Sequence, residues 1–203
     1  MEMTFKPGAI PIYRRELITM GVSRLFLPAS FVSEENSLTE MVPAKGYQPL
    51  IRVSGNKKKP DSGHDRSGGN PKGMNAAEII RLIRDLLLEI LAARKYGFID
   101  GEYYISLKTA FVTEKKDQIR ILYLPYRYPS MQSFRDGIRE IVQEFERAVS
   151  EPYHDYMRTI DRFLREDGAD LRATAAVCER LIKEARSLEG YDGGQLSGIH
   201  TDK

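Results

Sequence analysis

The sequence predicts an α+β fold: a small β-hairpin-rich N-terminal lobe, and a mainly helical C-terminal lobe that contains a hairpin of its own. Three observations carry this. Ile79, Ile80, Leu82, Ile83, Leu86, Leu87, Ile90 and Leu91 recur at helical spacing in a stripe wide enough for a helix covered on more than one side. Two runs rich in Tyr, Ile, Phe and Val, residues 103–113 and 118–126, flank the polar tetrad Glu114-Lys115-Lys116-Asp117, as strands flank a turn. Three further amphipathic stripes follow, so strands and helices are segregated along the chain rather than alternating.

In chain order, residues 1–53 form the N-terminal lobe. Residues 13–20 fit a helix or a strand equally well, being too short to decide. Residues 24–32 (RLFLPASFV) and 38–42 are short apolar runs around Glu34, Glu35 and Asn36, which reads as a hairpin with an acidic turn. Residues 50–53 are a third short strand. This region is too small to hold an independent core. Residues 54–74 (SGNKKKPDSGHDRSGGNPKGM) have no apolar periodicity and too little apolar surface to offset the entropy of ordering, which predicts a flexible linker or insertion. It is basic, since Lys57, Lys58, Lys59, Arg66 and Lys72 outnumber Asp61 and Asp65.

Residues 75–190 form the helical lobe. Asn75 with Glu78 three residues on is a capping box for the first helix, and Gly97 ends it. The hairpin of residues 103–126 comes next. Ser130 then caps a helix with Met131, Phe134, Ile138, Ile141, Val142, Phe145 and Val149 on one face. Pro152 opens another, where a first turn tolerates it, with Tyr153, Tyr156, Met157, Ile160, Phe163 and Leu164 as its stripe and Gly168 as its breaker. Asp170 caps a last helix carrying Leu171, Ala175, Cys178, Leu181, Ile182 and Leu188, closed by Gly190. Residues 191–203 are a polar tail.

Composition narrows the function classes. The 203 residues are 41% hydrophobic and 30% charged, an ordinary globular balance. A net charge of +2 gives no global attraction to nucleic acid or acidic lipid, so any such binding has to come from a local patch. A single cysteine, Cys178, builds neither an internal disulfide nor a cysteine-rich zinc site. Residues 1–12 lack the apolar stretch of a signal peptide, and Arg81, Arg84, Asp85 and Glu89 interrupt the longest apolar region. No membrane span is expected, and a cytoplasmic location is.

No constellation of catalytic groups stands out. His64 lies in the basic linker and His200 in the tail, where nothing holds a geometry for acid–base work. His154 begins a helix and reads as a surface residue. Cys178 sits on an apolar face and reads as an inert buried thiol, the rival reading being a Cys178–His154 dyad. Asp100, Glu102 and Asp117 would have to converge for an enzyme of unfamiliar chemistry. No cofactor and no metal are expected, because HExxH, CxxC, calcium-loop and Walker spacings are all missing. Residues 68–73 offer glycines and Lys72 before a helix, yet no apolar strand leads into them. Two surfaces are candidates for binding. Tyr123, Tyr126 and Tyr128 cluster around Pro125 and Pro129, and tyrosines are favoured anchors at interfaces. Lys57, Lys58 and Lys59 could meet nucleic acid or anionic lipid, although lysines in such segments are usually just solvated, so a nucleic-acid partner is disfavoured. The leading expectation is a protein partner, of unspecified identity.

One combination of these elements is more specific than its parts. The helix of residues 79–96 leads into a tyrosine-rich hairpin whose second strand reads Ile119-Arg120-Ile121-Leu122-Tyr123-Leu124-Pro125, and amphipathic helices follow. Upstream, residues 17–28 (LITMGVSRLFLP) precede a hairpin ending in Tyr47-Gln48-Pro49-Leu50. Over residues 13–188 this order resembles an uncharacterised bacterial family, domain of unknown function 6382, which often precedes a forkhead-associated domain. That family is similar to a reduced protein-kinase fold and to the pseudokinase domain of a type VII secretion component. The resemblance implies that residues 79–96 are the long C-lobe helix, residues 105–112 the catalytic-loop region and Tyr123-Leu124-Pro125 the place of the magnesium-binding DFG. A kinase needs an Asp base, metal-binding Asn and Asp, and a strand lysine. Here Ser106-Leu107-Lys108-Thr109 stands where His-Arg-Asp belongs, and neither DFG nor a glycine-rich GxGxxG is present. The resemblance therefore implies a pseudokinase-like, non-catalytic protein-interaction domain in signalling or secretion. The basic insertion departs from the family pattern. So does the short tail after Leu188, which suggests a fragment or a stand-alone relative.

Overall fold

In the computed structural model, residues 12–32, 40–43, 45–50, 74–166 and 170–192 are described. Their order is α1 (Ile12–Thr19), β1 (Ala29–Val32), β2 (Glu40–Pro43), β3 (Tyr47–Pro49), α2 (Ala76–Ala93), β4 (Ala110–Thr113), β5 (Ile119–Ile121), α3 (Met131–Ala148), α4 (His154–Arg165) and α5 (Leu171–Asp192). Short 3₁₀ turns, Arg94–Tyr96 and Glu151–Tyr153, follow α2 and precede α4. The α+β class is as expected. The acidic turn at Glu34, Glu35 and Asn36, residues 51–53, the basic stretch up to Gly73, Gly168 and residues 193–203 lie outside the described residues.

Local chemistry sets most element boundaries. At the start of α2, the Asn75 Oδ1 accepts from the Glu78 N–H at 2.8 Å, and the Asn75 N–H donates to Glu78 Oε2 at 2.9 Å. That is the expected reciprocal cap, satisfying two amide donors that the helix leaves over. Gly97, at φ 76°, ends the following turn in the left-handed region, which glycine enters without a Cβ penalty. Ser130 caps α3 through the Ser133 N–H at 3.1 Å, and Asp170 caps α5 through the Arg172 N–H at 3.1 Å. The segment expected to be ambiguous, residues 13–20, is helical as far as Thr19. Helix α5 runs two residues past Gly190, because a glycine closes a helix only when the backbone also turns left-handed there.

The core is a continuous cluster with α2 at its centre. Ile79, Ile80, Leu82, Ile83, Leu86, Leu87 and Ile90 are all buried, so the wide stripe is covered as expected. Helix α5 packs along α2, and α4 packs against α3 and α5. At about 1.5–3 kcal/mol for each buried aliphatic side chain, this layer dominates the stability of the domain. Three expectations need correction. Met131 and Leu188, placed on core faces, are exposed, Met131 as the first residue of α3 and Leu188 near the end of α5. Met74, assigned to the linker, is buried in the core directly before the Asn75 cap.

The N-terminal segments are stitched to the second half of the chain. Strand β3 pairs antiparallel with β4 (Gln48 opposite Val112) and β4 with β5 (Phe111 opposite Arg120), giving the order β3-β4-β5. Pro49, which lacks an N–H, is tolerated because β3 is an edge. On the other side, Leu25–Leu27 run parallel to β5: the Ile121 N–H donates to Leu25 O at 2.8 Å and the Leu27 N–H to Ile121 O at 2.9 Å. Arg120 is buried beneath this segment, where its guanidinium donates to the Ser23 and Phe26 carbonyls and to Gln118 Oε1. Strands β1 and β2 form a separate antiparallel pair. Among the described residues, no helix is long and apolar enough to cross a membrane.

Candidate functional site

The hairpin expected at residues 103–126 has a regular ladder only in β4 and β5. Between Ser106 and Thr109 the first strand folds into a turn, closed by the Thr109 N–H on Ser106 O and by Thr109 Oγ1 on the Ser106 N–H. Beyond it the strands meet again. The Tyr104 N–H donates to Leu124 O at 2.9 Å, the Tyr126 N–H to Glu102 O at 3.2 Å and the Tyr128 N–H to Gly101 O at 2.8 Å. Alternation along these extended segments sends neighbouring tyrosines to opposite faces.

The inner face is an aromatic cluster. Phe26 stacks edge-on against Tyr103 and Tyr123, with centroids 5.1 and 5.0 Å away, and lies 4.4 Å from Phe98. Phe134 of α3 closes the cluster against Tyr103 at 5.5 Å. The outer face carries Tyr104, Tyr126 and Tyr128, all partly exposed. Tyr126 stands edge-on to both others, 5.3 Å from Tyr104 and 4.7 Å from Tyr128, while Tyr104 and Tyr128 lie nearly parallel. Tyr128 is the anchor. Its hydroxyl donates to Ile105 O at 2.9 Å and accepts from the Ile105 N–H at 3.1 Å, and burial pushes its phenol up to about 12. The hydroxyls of Tyr104 and Tyr126 make no hydrogen bond among the described residues. Exposed Met131 lies against Gly101, whose carbonyl accepts from the Tyr128 N–H. Helix α3 approaches this face closely at Gly137, where a Cβ would press into Ile105 O and lie 3.1 Å from the Tyr128 hydroxyl.

The three tyrosines singled out from the sequence are thus divided. Tyr126 and Tyr128 share the outer face, but Tyr123 is interior, its hydroxyl accepting from Arg14 Nη1 at 3.2 Å. Tyr104 and the flanking Met131 were missed. The alternation of Tyr103 and Tyr104 could have revealed the first, whereas only the fold brings Met131 over Gly101. Lys57, Lys58, Lys59, His64 and His200 lie outside the described residues.

The remaining candidates do not assemble. His154 Nε2 donates to Val149 O at 3.1 Å, while Cys178 is buried on α5, where burial pushes its thiol up to about 12 and keeps it protonated. No hydrogen bond joins the two. Asp100 is held by Arg94 at 2.9 Å, Glu102 lies 3.8 Å from Arg14, and Asp117 accepts from Thr113 Oγ1 at 2.6 Å in the β4–β5 turn. Among the described residues, no three His, Cys, Asp or Glu side chains gather at metal-ligand spacing. No protein-family model matches the chain, and no curated protein matches it either.

Proposed function

We propose that this chain is a non-catalytic protein-interaction domain of bacterial signalling or secretion, and that Tyr104, Tyr126 and Tyr128 are its partner-binding surface. The observation that carries this reading is the state of those three rings. They are partly exposed, packed edge to face at 4.7 and 5.3 Å, and tied to the backbone through Tyr128. Rings held in this way lose little conformational entropy when a partner covers them, which is the property of a hot spot. Met131 supplies exposed apolar area beside them, at Gly101. If the sequence resemblance to a pseudokinase-like scaffold holds, Tyr123 supports the non-catalytic reading. At the position equated with a magnesium-binding carboxylate, a phenol points inward and is bonded to Arg14.

A photo-crosslinking residue at position 126 tests this in the parent cell, with the exposed position 180 of α5 as control. A discrete protein product from 126 and none from 180 is expected. Tyr104→Ala should reduce that product by at least about tenfold. Equal labelling from both positions would sink the assignment of the surface. A clear rise in melting temperature with ATP and magnesium would instead point to a retained nucleotide site and against a pure interaction domain.

A further inference from the structure

A second surface lies between α3 and α4 and shares no lining residue with the tyrosine face. Helices α3 and α4 flank a cavity of about 550 Å³ lined by Gln143, Glu146, Arg147, His154, Arg158, Asp161 and Arg165. His154, Arg158, Asp161 and Arg165 are spaced at i, i+4, i+7 and i+11, which puts them on one stripe of α4. Gln143, Glu146 and Arg147 form the facing stripe of α3. The charges are layered. The Asp161, Glu144 and Glu146 side chains are only 10, 15 and 26% exposed, whereas Arg147, Arg158 and Arg165 are 77, 64 and 60% exposed. Three carboxylates therefore lie low and hold guanidiniums that stand at the rim, while a fourth partner, Asp155, is itself exposed beside Arg158.

The acids orient these arginines without exhausting them. Arg165 Nη2 contacts Asp161 at 2.8 Å, Arg147 Nη1 donates to Glu144 at 3.0 Å, and Arg158 donates from Nε to Glu146 at 3.0 Å and from Nη1 to Asp155 at 3.3 Å. A guanidinium has five N–H donors. Arg158 Nη2, Arg147 Nε and Nη2, and Arg165 Nε and Nη1 thus carry donors that these acids do not take. Asp161 is also tied down by Arg139 Nε at 2.8 Å and by Gln143 at 3.3 Å, so it is not available to a ligand cation.

We infer that this cavity binds a phosphate monoester dianion. Forked guanidinium donors match phosphate oxygens two at a time, and three of them border one cavity whose own acids are already engaged. Apart from the His154 imidazole, no aromatic side chain lines it, so it offers no ring sandwich for a nucleotide base. The volume exceeds that of a bare phosphate and leaves room for the carrier, either a phosphorylated side chain of a protein or a small phosphate ester.

Isothermal titration of the full chain with inorganic phosphate, a phosphoserine peptide and the same peptide unphosphorylated tests this. Saturable binding of phosphate and of the phosphopeptide, but not of the plain peptide, is expected, weakening as salt is raised. Arg147→Gln is the informative variant, because its one pair, to Glu144 three residues away, contributes little to the fold. It should lower affinity by about tenfold with an unchanged melting temperature, and adding Arg158→Gln should lower it further. Tighter binding of the phosphopeptide than of phosphate assigns the site to a phosphoprotein, and equal binding assigns it to a small ester. No saturable binding of either, or affinity unchanged in both variants, overturns the inference.

Discussion

The two faces of the hairpin end use the same residue type for opposite purposes. Inside, Tyr103 and Tyr123 are packed against Phe26 and contribute mainly through buried ring area. Outside, Tyr104, Tyr126 and Tyr128 cover one another only in part, and a single hydroxyl ties the set to the backbone. The difference teaches that a tyrosine's role follows from which end of it meets a partner. An inner ring is held by contacts around its whole perimeter, whereas an outer ring is held at its anchor and leaves area to be covered.

The strongest way to break the separation is Phe134→Ala. This ring lies 5.5 Å from Tyr103 and 5.6 Å from Tyr128, so it supports both faces. Its loss should cost about 3–5 kcal/mol in chemical denaturation and weaken the near-ultraviolet circular dichroism of both tyrosine sets. Gly137→Ala comes next. Helix propensity favours alanine by about 1 kcal/mol, but the added carbon collides with the Ile105 backbone, and overpacking of about 1–3 kcal/mol outweighs the gain. A stabilised variant would mean that α3 does not sit this close to the Ser106–Thr109 turn.

Tyr128→Phe removes both Ile105 bonds and should cost about 1–2 kcal/mol. It also carries a pH signature. The folded phenol is raised from 10.0 to about 12, so its contribution is complete below pH 10 and is lost as pH rises toward 12, where the unfolded chain has already released the proton. The wild type should lose stability steadily across that window, and the variant less steeply. The smallest effects distinguish the two inner tyrosines. Tyr123→Phe leaves Arg14 without its phenol partner and should cost about 1 kcal/mol. Tyr103→Phe removes a buried hydroxyl that finds no partner among the described residues, and should be neutral or slightly stabilising. Equal losses at the two positions would erase the distinction between them.

What the sequence determined by itself was local. The Asn75–Glu78 box, Ser130, Asp170 and Gly97 mark helix ends because capping depends on a few consecutive residues. The burial of α2 was legible because its apolar stripe exceeds one face. The β4–β5 turn was legible because a charged tetrad interrupts two strand-forming runs. Three features belong to tertiary structure alone. Leu25–Leu27 joins β5 across nearly a hundred residues, and no local signal specifies so distant a backbone partner. Tyr123 turns inward while Tyr126 and Tyr128 turn outward, because α3 and Phe26 decide which face is covered. The arginine rim forms only when two helices, each carrying an ordinary charged stripe, lie side by side. Periodicity says which residues share a face, but only packing says what that face meets.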